Sequence, residues 1–137
     1  MKYYIEAFRK YAVFSGRASR SEYWYFFLFN IIAQFVIGFG ATFIAAVAGA
    51  SSDSATNTGE SLMALYVLAA LLPSIAVSVR RLHDAGYSGW LLLLGFIPLA
   101  GIVLIVLFCT DSQPGTNKYG PNPKGATSAD VVQEGSA

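Results

Sequence analysis

Three long stretches without a charged side chain constrain this chain more than any other feature. They cover residues 23–50, 62–79 and 88–109, with bounds approximate to a few positions. A helix needs about 20 apolar residues to cross a hydrocarbon core about 30 Å thick, and each stretch approximately reaches that length. The apolar residues are continuous rather than alternating, which disfavours an outer-membrane barrel. The pattern predicts an all-α integral membrane protein with about three transmembrane helices.

The composition agrees with a membrane environment. Of 137 residues, 55% are hydrophobic and only 12% are charged, whereas a soluble domain carries about 25% charged residues. The net charge of +1 gives no basic field that would attract nucleic acid, so no nucleic-acid partner is expected. The single cysteine, Cys109, excludes an internal disulfide and is interpreted as a small packing residue.

A helix start is predicted immediately before the first apolar stretch. Ser19 and Glu22 have the spacing of a capping box, in which each side chain bonds the backbone N–H of the other residue. The aromatic residues at 23–25 are typical of the headgroup level of a membrane. Before this cap, Tyr4 and Phe8 share one helical face, which predicts an N-terminal amphipathic helix lying on the membrane surface.

The remaining boundaries follow from turn-forming residues. The small polar residues at 51–59 predict a flexible exposed loop. The stretch at 111–124 is rich in Pro, Gly and Asn and is interpreted as a structural turn cluster. Residues 125–137 are predicted to be a disordered C-terminal tail, so that residues 1–124 form a single membrane domain.

Lysine and arginine counts predict the orientation. Basic residues are concentrated before the first stretch, are absent from the loop at 51–59 and return at Arg80 and Arg81. The positive-inside rule therefore predicts a multi-pass protein with a cytoplasmic N-terminus. The third stretch contains Pro98 and is predicted to be one kinked span. A re-entrant hairpin, which would return the tail to the cytoplasm, is the alternative.

The segment from Arg80 to Trp90 carries the densest set of polar side chains. Asp84 lies four residues after Arg80 and three after Arg81, so either arginine can pair with it on a helix. The other arginine would be free for a lipid phosphate. The simpler interpretation is a cytoplasmic anchor. Catalysis by His83 and Asp84 is disfavoured because no nucleophile stands beside them in sequence.

Polar residues recur at helical spacing inside the first two stretches. Asn30, Gln34 and Gly38 are four residues apart, and Ser74 and Ser78 share a face of the second stretch. Such rows are most often helix-packing seams. A polar path through the membrane is the alternative interpretation.

Four motifs in order carry a family resemblance. They occupy residues 14–24, 80–90, 97–102 and 114–123, and with the hydrophobic spacing they cover about residues 1–124. The sequence resembles the domain-of-unknown-function 805 family of small bacterial inner-membrane proteins. The resemblance implies a helical protein of the bacterial plasma membrane and brings no activity or ligand. It suggests that the first two motifs together form one site at the cytoplasmic face.

The functional hypothesis is a non-enzymatic membrane module that binds anionic lipid headgroups or a membrane protein partner at its cytoplasmic face. A small oligomeric transporter or channel subunit is the alternative, and a lipid-modifying enzyme using His83 and Asp84 is a third class. Membrane lipids, together with a second copy or a membrane protein partner, are the expected partners, and no cofactor or metal is expected. The candidate binding residues are Arg17, Arg20, Arg80, Arg81, His83, Asp84, Trp24 and Trp90.

Overall fold

A computed structural model describes residues 2–124, and every regular element within them is helical. The predicted disordered tail at 125–137 lies outside the described residues. In chain order the elements are α1 (Lys2–Arg9), α2 (Arg20–Val47), α3 (Ser52–Asp84), a 3-10 helix (Gly89–Phe96) and α4 (Gly101–Cys109).

Helices α2 and α3 form an antiparallel pair that organises the molecule. They are the two helices in the described part of the chain that are long and apolar enough to cross a membrane. Glu22 near the start of α2 contacts Arg80 near the end of α3, whereas Gly59 in the second turn of α3 lies against Thr42. The end of the pair where α2 begins and α3 ends is called the arginine end below.

The start of α2 forms half of the predicted capping box. The Ser19 hydroxyl oxygen accepts the backbone N–H of Glu22 at 3.2 Å. The return bond from the Glu22 side chain is a wrong prediction, because its carboxylate accepts a hydrogen bond from Arg80 Nη1 at 2.7 Å instead. Glu22 therefore joins two helices rather than closing one helix end.

Replacing Ser19 by alanine tests this cap. We expect a loss of about 0.5–2 kcal/mol in the free energy of unfolding, because one N–H at the start of α2 loses its acceptor. Thermal unfolding of the detergent-solubilised protein, followed by circular dichroism, measures the change. The matched control is Ser21→Ala on the exposed side of the same turn. Equal effects of the two substitutions would contradict a capping role for Ser19.

The structure differs from the predicted flexible loop at 51–59, where it forms the first turns of α3. The Ser51 hydroxyl caps the helix by accepting the N–H three residues later at 3.4 Å. The hydroxyls of Thr56 and Thr58 donate to carbonyls one turn earlier, at 2.9 and 2.8 Å. Bonds of this kind let residues that favour turns remain inside a helix. The connection between α2 and α3 is thereby reduced to residues 48–51.

The third apolar stretch does not form the predicted single kinked span. It forms the 3-10 helix and α4, which are eight and nine residues long and pack against each other. Ile97 adopts an extended conformation, with φ −101° and ψ 120°, because the residue before Pro98 is disfavoured in the α region. The stretch thus turns back on itself, and no helix of spanning length exists in it.

Both outer ends of this hairpin lie at the arginine end. At its start, Gly89 packs so closely on α3 that a Cβ atom there would lie 2.7 Å from Val79 Cγ1. At its finish, the carbonyl oxygen of Phe108 accepts from Arg81 Nε at 3.1 Å. The chain therefore enters and leaves the hairpin at the same end of the bundle.

Helix α1 lies in the N-terminal segment and packs on the bundle through Tyr4, Ala7 and Phe8. Ala7 is fully buried, and the rings of Tyr4 and Phe8 lie 5.8 and 6.2 Å from that of Phe26 on α2. The Tyr4 hydroxyl also lies 2.8 Å from that of Tyr66 on α3. The interfacial position of α1 in a membrane stays a prediction.

Candidate functional site

The arginine end is built around one buried carboxylate. Asp84 has no solvent exposure, and its two oxygens contact three side chains from different parts of the chain. Arg17 Nε donates to Oδ1 at 3.0 Å, Arg81 Nη1 donates to Oδ2 at 2.7 Å, and the Ser112 hydroxyl donates to Oδ2 at 2.6 Å. Asp84 thus ties α3 to the segment before α2 and to the segment after α4.

Arg17 extends this cluster into the C-terminal turns. Besides Asp84, its guanidinium donates to the carbonyl oxygens of Gln113 at 2.5 Å and Gly115 at 2.7 Å. It also donates to the backbone carbonyl of Asp84 at 3.2 Å. A planar group with five donors can hold several acceptors at fixed angles, which a lysine cannot do. The turn cluster predicted at 111–124 is therefore ordered by Arg17.

Arg81 fastens the end of α4 in the same way. Its Nε donates to the carbonyl of Phe108 at 3.1 Å, and its Nη2 donates to the carbonyl of Thr110. These are carbonyls that the last turn of a helix leaves without intrahelical partners. The pairing of Asp84 with an arginine of its own helix, predicted from spacing, is therefore made by Arg81 and continues into α4.

Arg80 occupies a separate buried ion pair. It is 2% exposed and donates from Nη1 to Glu22 Oε1 at 2.7 Å. Its Nε and Nη2 have no hydrogen-bond partner among the described residues. The expectation that the arginine not bound to Asp84 is free for a lipid phosphate does not fit this arrangement, nor does an arginine reaching out to the membrane surface. Arg80 links α3 to α2.

His83 and Asp84 point to different partners. The His83 ring stacks on Tyr119 with a centroid distance of 3.8 Å and an interplanar angle of 2°. Its Nδ1 lies 3.1 Å from the carbonyl oxygen of Gly16, so the Nδ1–H tautomer donates there. Asp84 is occupied by arginines and a serine, and it makes no hydrogen bond to the His83 ring. The geometry therefore does not form a base with its orienting carboxylate.

The exposed candidate residues lie beside this buried cluster. The Arg20 side chain is 46% exposed, and Trp90 at the start of the 3-10 helix is 80% exposed. Arg20 stands at the edge of a groove of about 490 Å³ between α2 and the end of α4. We call this the Arg20 groove. Its lining residues are Arg20, Ser21, Trp24, Tyr25, Leu28 and Cys109.

The polar rows inside the apolar stretches have mixed outcomes. The hydroxyls of Ser74 and Ser78 donate to carbonyls one turn earlier on α3, at 2.6 and 2.8 Å. Asn30 accepts from the Tyr66 hydroxyl at 2.5 Å and so joins α2 to α3. The Asn30 bond joins two helices, whereas the two serine bonds lie within α3, so the choice between a packing seam and a polar path stays a prediction. Gln34 and Gly38 line a second groove, further along α2.

Sequence reasoning missed several members of the buried cluster. Glu22 was assigned to its own helix start, and Ser112 and Gln113 were not singled out. Their roles depend on contacts between residues 28 to 96 positions apart, which spacing alone does not reveal. One signal was available, because Glu22 and Asp84 are the acidic residues of the two arginine-rich motifs. Within residues 2–124, no group of three or more His, Cys, Asp or Glu side chains could hold a metal ion.

Together, two apolar helices of spanning length and a buried ionic cluster at one end define a small helical membrane protein. The chain belongs to the family described as "Protein of unknown function (DUF805)", whose model matches residues 11–121. The resemblance carried by the four sequence motifs is therefore confirmed.

Two relatives from Escherichia coli strain K12 resemble the chain along most of its length. Inner membrane protein YhaI is 41% identical over 125 residues, which cover 90% of this chain and 97% of the relative. Inner membrane protein YhaH is 39% identical over 125 residues, covering 90% and 98%. No solved structure matches the chain. These relatives are inner-membrane proteins, which agrees with the location that the family resemblance implied.

Proposed function

We propose that the protein is a non-enzymatic module of the inner membrane that binds the headgroup of an anionic phospholipid at the arginine end. The positive-inside rule puts this end in the cytoplasm, because the basic residues of both arginine-rich motifs lie there. The observation that carries the proposal is the Arg20 groove, which has an exposed guanidinium at its edge and apolar walls below.

The chemistry of the Arg20 groove fits one phospholipid molecule. The planar guanidinium of Arg20 can donate two parallel hydrogen bonds to a phosphate. Trp24 and Tyr25, which line the groove one turn further along α2, are the residue types that lie at the boundary between headgroups and acyl chains. Leu28 follows another turn towards the apolar part of α2. A headgroup at Arg20 would thus have its chains along the α2 surface.

The arginines of the two motifs divide into two roles under this proposal. Arg17, Arg80 and Arg81 are buried and hold the helix ends together, so they shape the groove rather than touch a lipid. Arg20 is the arginine of this set that is exposed to a headgroup. Trp90, on the 3-10 helix, fixes the depth of the arginine end in the membrane. A membrane protein partner would compete for the same exposed surface.

Asp111 opposes lipid binding at this position. Its Oδ1 lies 3.5 Å from Arg20 Nη2 and also accepts from Lys124 Nζ. The hydrogen bond from Lys124 holds the pKa of Asp111 below its ordinary value, so the carboxylate stays charged at neutral pH. A phosphate that binds Arg20 must therefore displace or tolerate a neighbouring negative charge.

This arrangement gives two substitutions with opposite expected effects. We expect Arg20→Gln to weaken retention of phosphatidylglycerol about tenfold or more, because a charge-assisted hydrogen bond is worth about 1.5–3 kcal/mol. Asp111→Asn should strengthen retention, since it removes the competing carboxylate. Native mass spectrometry of the full-length protein, extracted in mild detergent and titrated with phosphatidylglycerol, measures the fraction that carries one lipid.

Arg9→Gln is the matched control, because Arg9 is exposed on α1 and does not line the groove. A general electrostatic attraction would make the Arg9 and Arg20 variants equally weak, and this result would contradict a site at Arg20. Equal retention of phosphatidylglycerol and phosphatidylethanolamine by the unmodified protein would also contradict the proposal.

A further inference from the structure

A second groove lies between α2 and α3, away from the arginine end. Its volume is about 430 Å³, within the usual range for small-molecule sites of about 300–1,000 Å³. Most of its wall is apolar, and Phe35 and Phe39 on α2 are 67% and 77% exposed beside it. Four polar side chains line its wall, and Glu60 is the charged one; they are Gln34 and Thr42 from α2 and Thr56 and Glu60 from α3. We call it the Glu60 groove.

The helix register places Glu60 beside the apolar part of α2. A Cβ atom on Gly38 would lie 3.3 Å from Met63, and one on Gly59 would lie 2.7 Å from the Gly38 carbonyl oxygen. Gly38 is 12 residues after Phe26 and 9 residues before Val47, or about 18 and 14 Å along the helix. The carboxylate therefore lies beside the apolar part of α2, which is one of the two helices in the described residues that are long and apolar enough to cross a membrane.

This carboxylate has no counter-charge in the described part of the chain. No ion pair or hydrogen bond joins the Glu60 side chain to another residue within 2–124, and no basic residue lines the groove. A charged side chain at membrane depth is costly and marks a functional position unless it is paired. The sequence pattern predicts a loop at 51–59 that ends immediately before Glu60. The helical start of α3 instead places Glu60 on the groove wall.

We propose that the Glu60 groove binds an organic cation with an apolar body. The charge of Glu60 selects a positive group, and the exposed faces of Phe35 and Phe39 can attract the same cation through their ring electrons. The apolar wall accommodates the rest of the ligand. A neutral apolar molecule gains nothing from the carboxylate, and an anion is repelled by it.

Tetraphenylphosphonium is a suitable probe because it combines a delocalised positive charge with apolar rings. Equilibrium dialysis with the purified full-length protein should give saturable binding, with a dissociation constant at least tenfold weaker for Glu60→Gln. The matched control, Asp53→Asn, removes an equal charge from the first turn of α3 outside the groove and should bind like the unmodified protein. Gln34→Trp, which fills the groove while leaving Glu60 intact, should also lose binding.

Three results would overturn the proposal. They are equal binding by the Glu60→Gln variant and the unmodified protein, an equal loss in the Asp53→Asn variant, and equally tight binding of neutral triphenylphosphine. Circular dichroism of each variant checks that the helices are retained. Because the Arg20 groove contains none of these residues, phosphatidylglycerol retention should be unchanged in all of them. Either site can therefore fail without the other.

Discussion

Replacing Asp84 by asparagine is expected to lower the free energy of unfolding by about 3–5 kcal/mol. The substitution keeps the shape of the side chain and removes its charge. Two guanidinium groups, those of Arg17 and Arg81, then remain buried without the carboxylate that compensates them. Breaking a buried ion pair by removing one partner is costly because the remaining charge has neither water nor a counter-ion. The effect should spread to the C-terminal turns, which Arg17 orders.

Denaturant unfolding of the purified protein in detergent measures this loss. Asp111→Asn is the matched control, because Asp111 also pairs with basic groups but its side chain is 62% exposed. We expect little change in the control, since exposed ion pairs are screened by water. An Asp84→Asn variant as stable as the Asp111→Asn variant would show that the buried cluster does not hold the arginine end together.

The second large effect is expected at Gly59, where α3 packs closely on the backbone of α2. A Cβ atom at this position would lie 2.0 Å from Thr42 Oγ1 and 2.7 Å from the Gly38 carbonyl oxygen. The first contact can be relieved by rotating a side chain, but the second is with backbone and requires the helices to separate. Forcing extra atoms into a packed contact costs about 1–3 kcal/mol, so Gly59→Ala should destabilise the protein by that amount.

Gly40→Ala on α2 provides a control for which no loss of stability is expected. A Cβ atom on Gly40 meets no atom within 4 Å, and alanine favours a helix over glycine by about 1 kcal/mol. Thermal unfolding in detergent should therefore give a lower melting temperature for the Gly59 variant and an equal or higher one for the Gly40 variant. A Gly59→Ala variant that melts with the unmodified protein would contradict the close helix contact.

The parts of the fold that follow from local sequence were predictable. The apolar stretches at 23–50 and 62–79 correspond to α2 and α3, because a helix that satisfies its own backbone is the stable form of such a stretch in a membrane. The Ser19 cap and the pairing of Arg81 with Asp84 depend on residues three positions apart, so spacing alone reveals them. The helical class of the protein followed from these features.

Other parts of the fold depend on a choice between two local structures, and the spacing of residues does not show which one forms. The polar residues at 51–59 favour a turn by composition, but their hydroxyls bond within the helix and α3 begins at Ser52. Pro98 was expected to kink one helix, whereas the chain reverses there. The 3-10 helix and α4 then pack against each other. A continuous apolar stretch is compatible with one kinked helix and with a chain reversal, so it does not distinguish the two structures.

The motifs that form the candidate site could be predicted from the sequence, but the side chains that pair within it could not. The two arginine-rich motifs do meet at one end of the bundle. Which arginine pairs with which carboxylate was decided by contacts across helices, such as Arg17 with Asp84 and Arg80 with Glu22. These contacts bury three of the four arginines expected to bind a headgroup. The exposed groove at Arg20 and the carboxylate at Glu60 became visible only once the helices were placed side by side.

The Arg20 groove requires the hairpin at 89–109 to return the chain to the side of the membrane where α2 begins, because Cys109 at the end of α4 lines it. Cysteine accessibility in intact and permeabilised cells tests this most directly, with single cysteines at the exposed positions Ser15, Asn57 and Thr116 in a Cys109→Ser background. A membrane-impermeant maleimide should label Asn57→Cys in intact cells, and Ser15→Cys and Thr116→Cys only after permeabilisation. Labelling of Thr116→Cys together with Asn57→Cys, while Ser15→Cys stays protected, would contradict the shared arginine end.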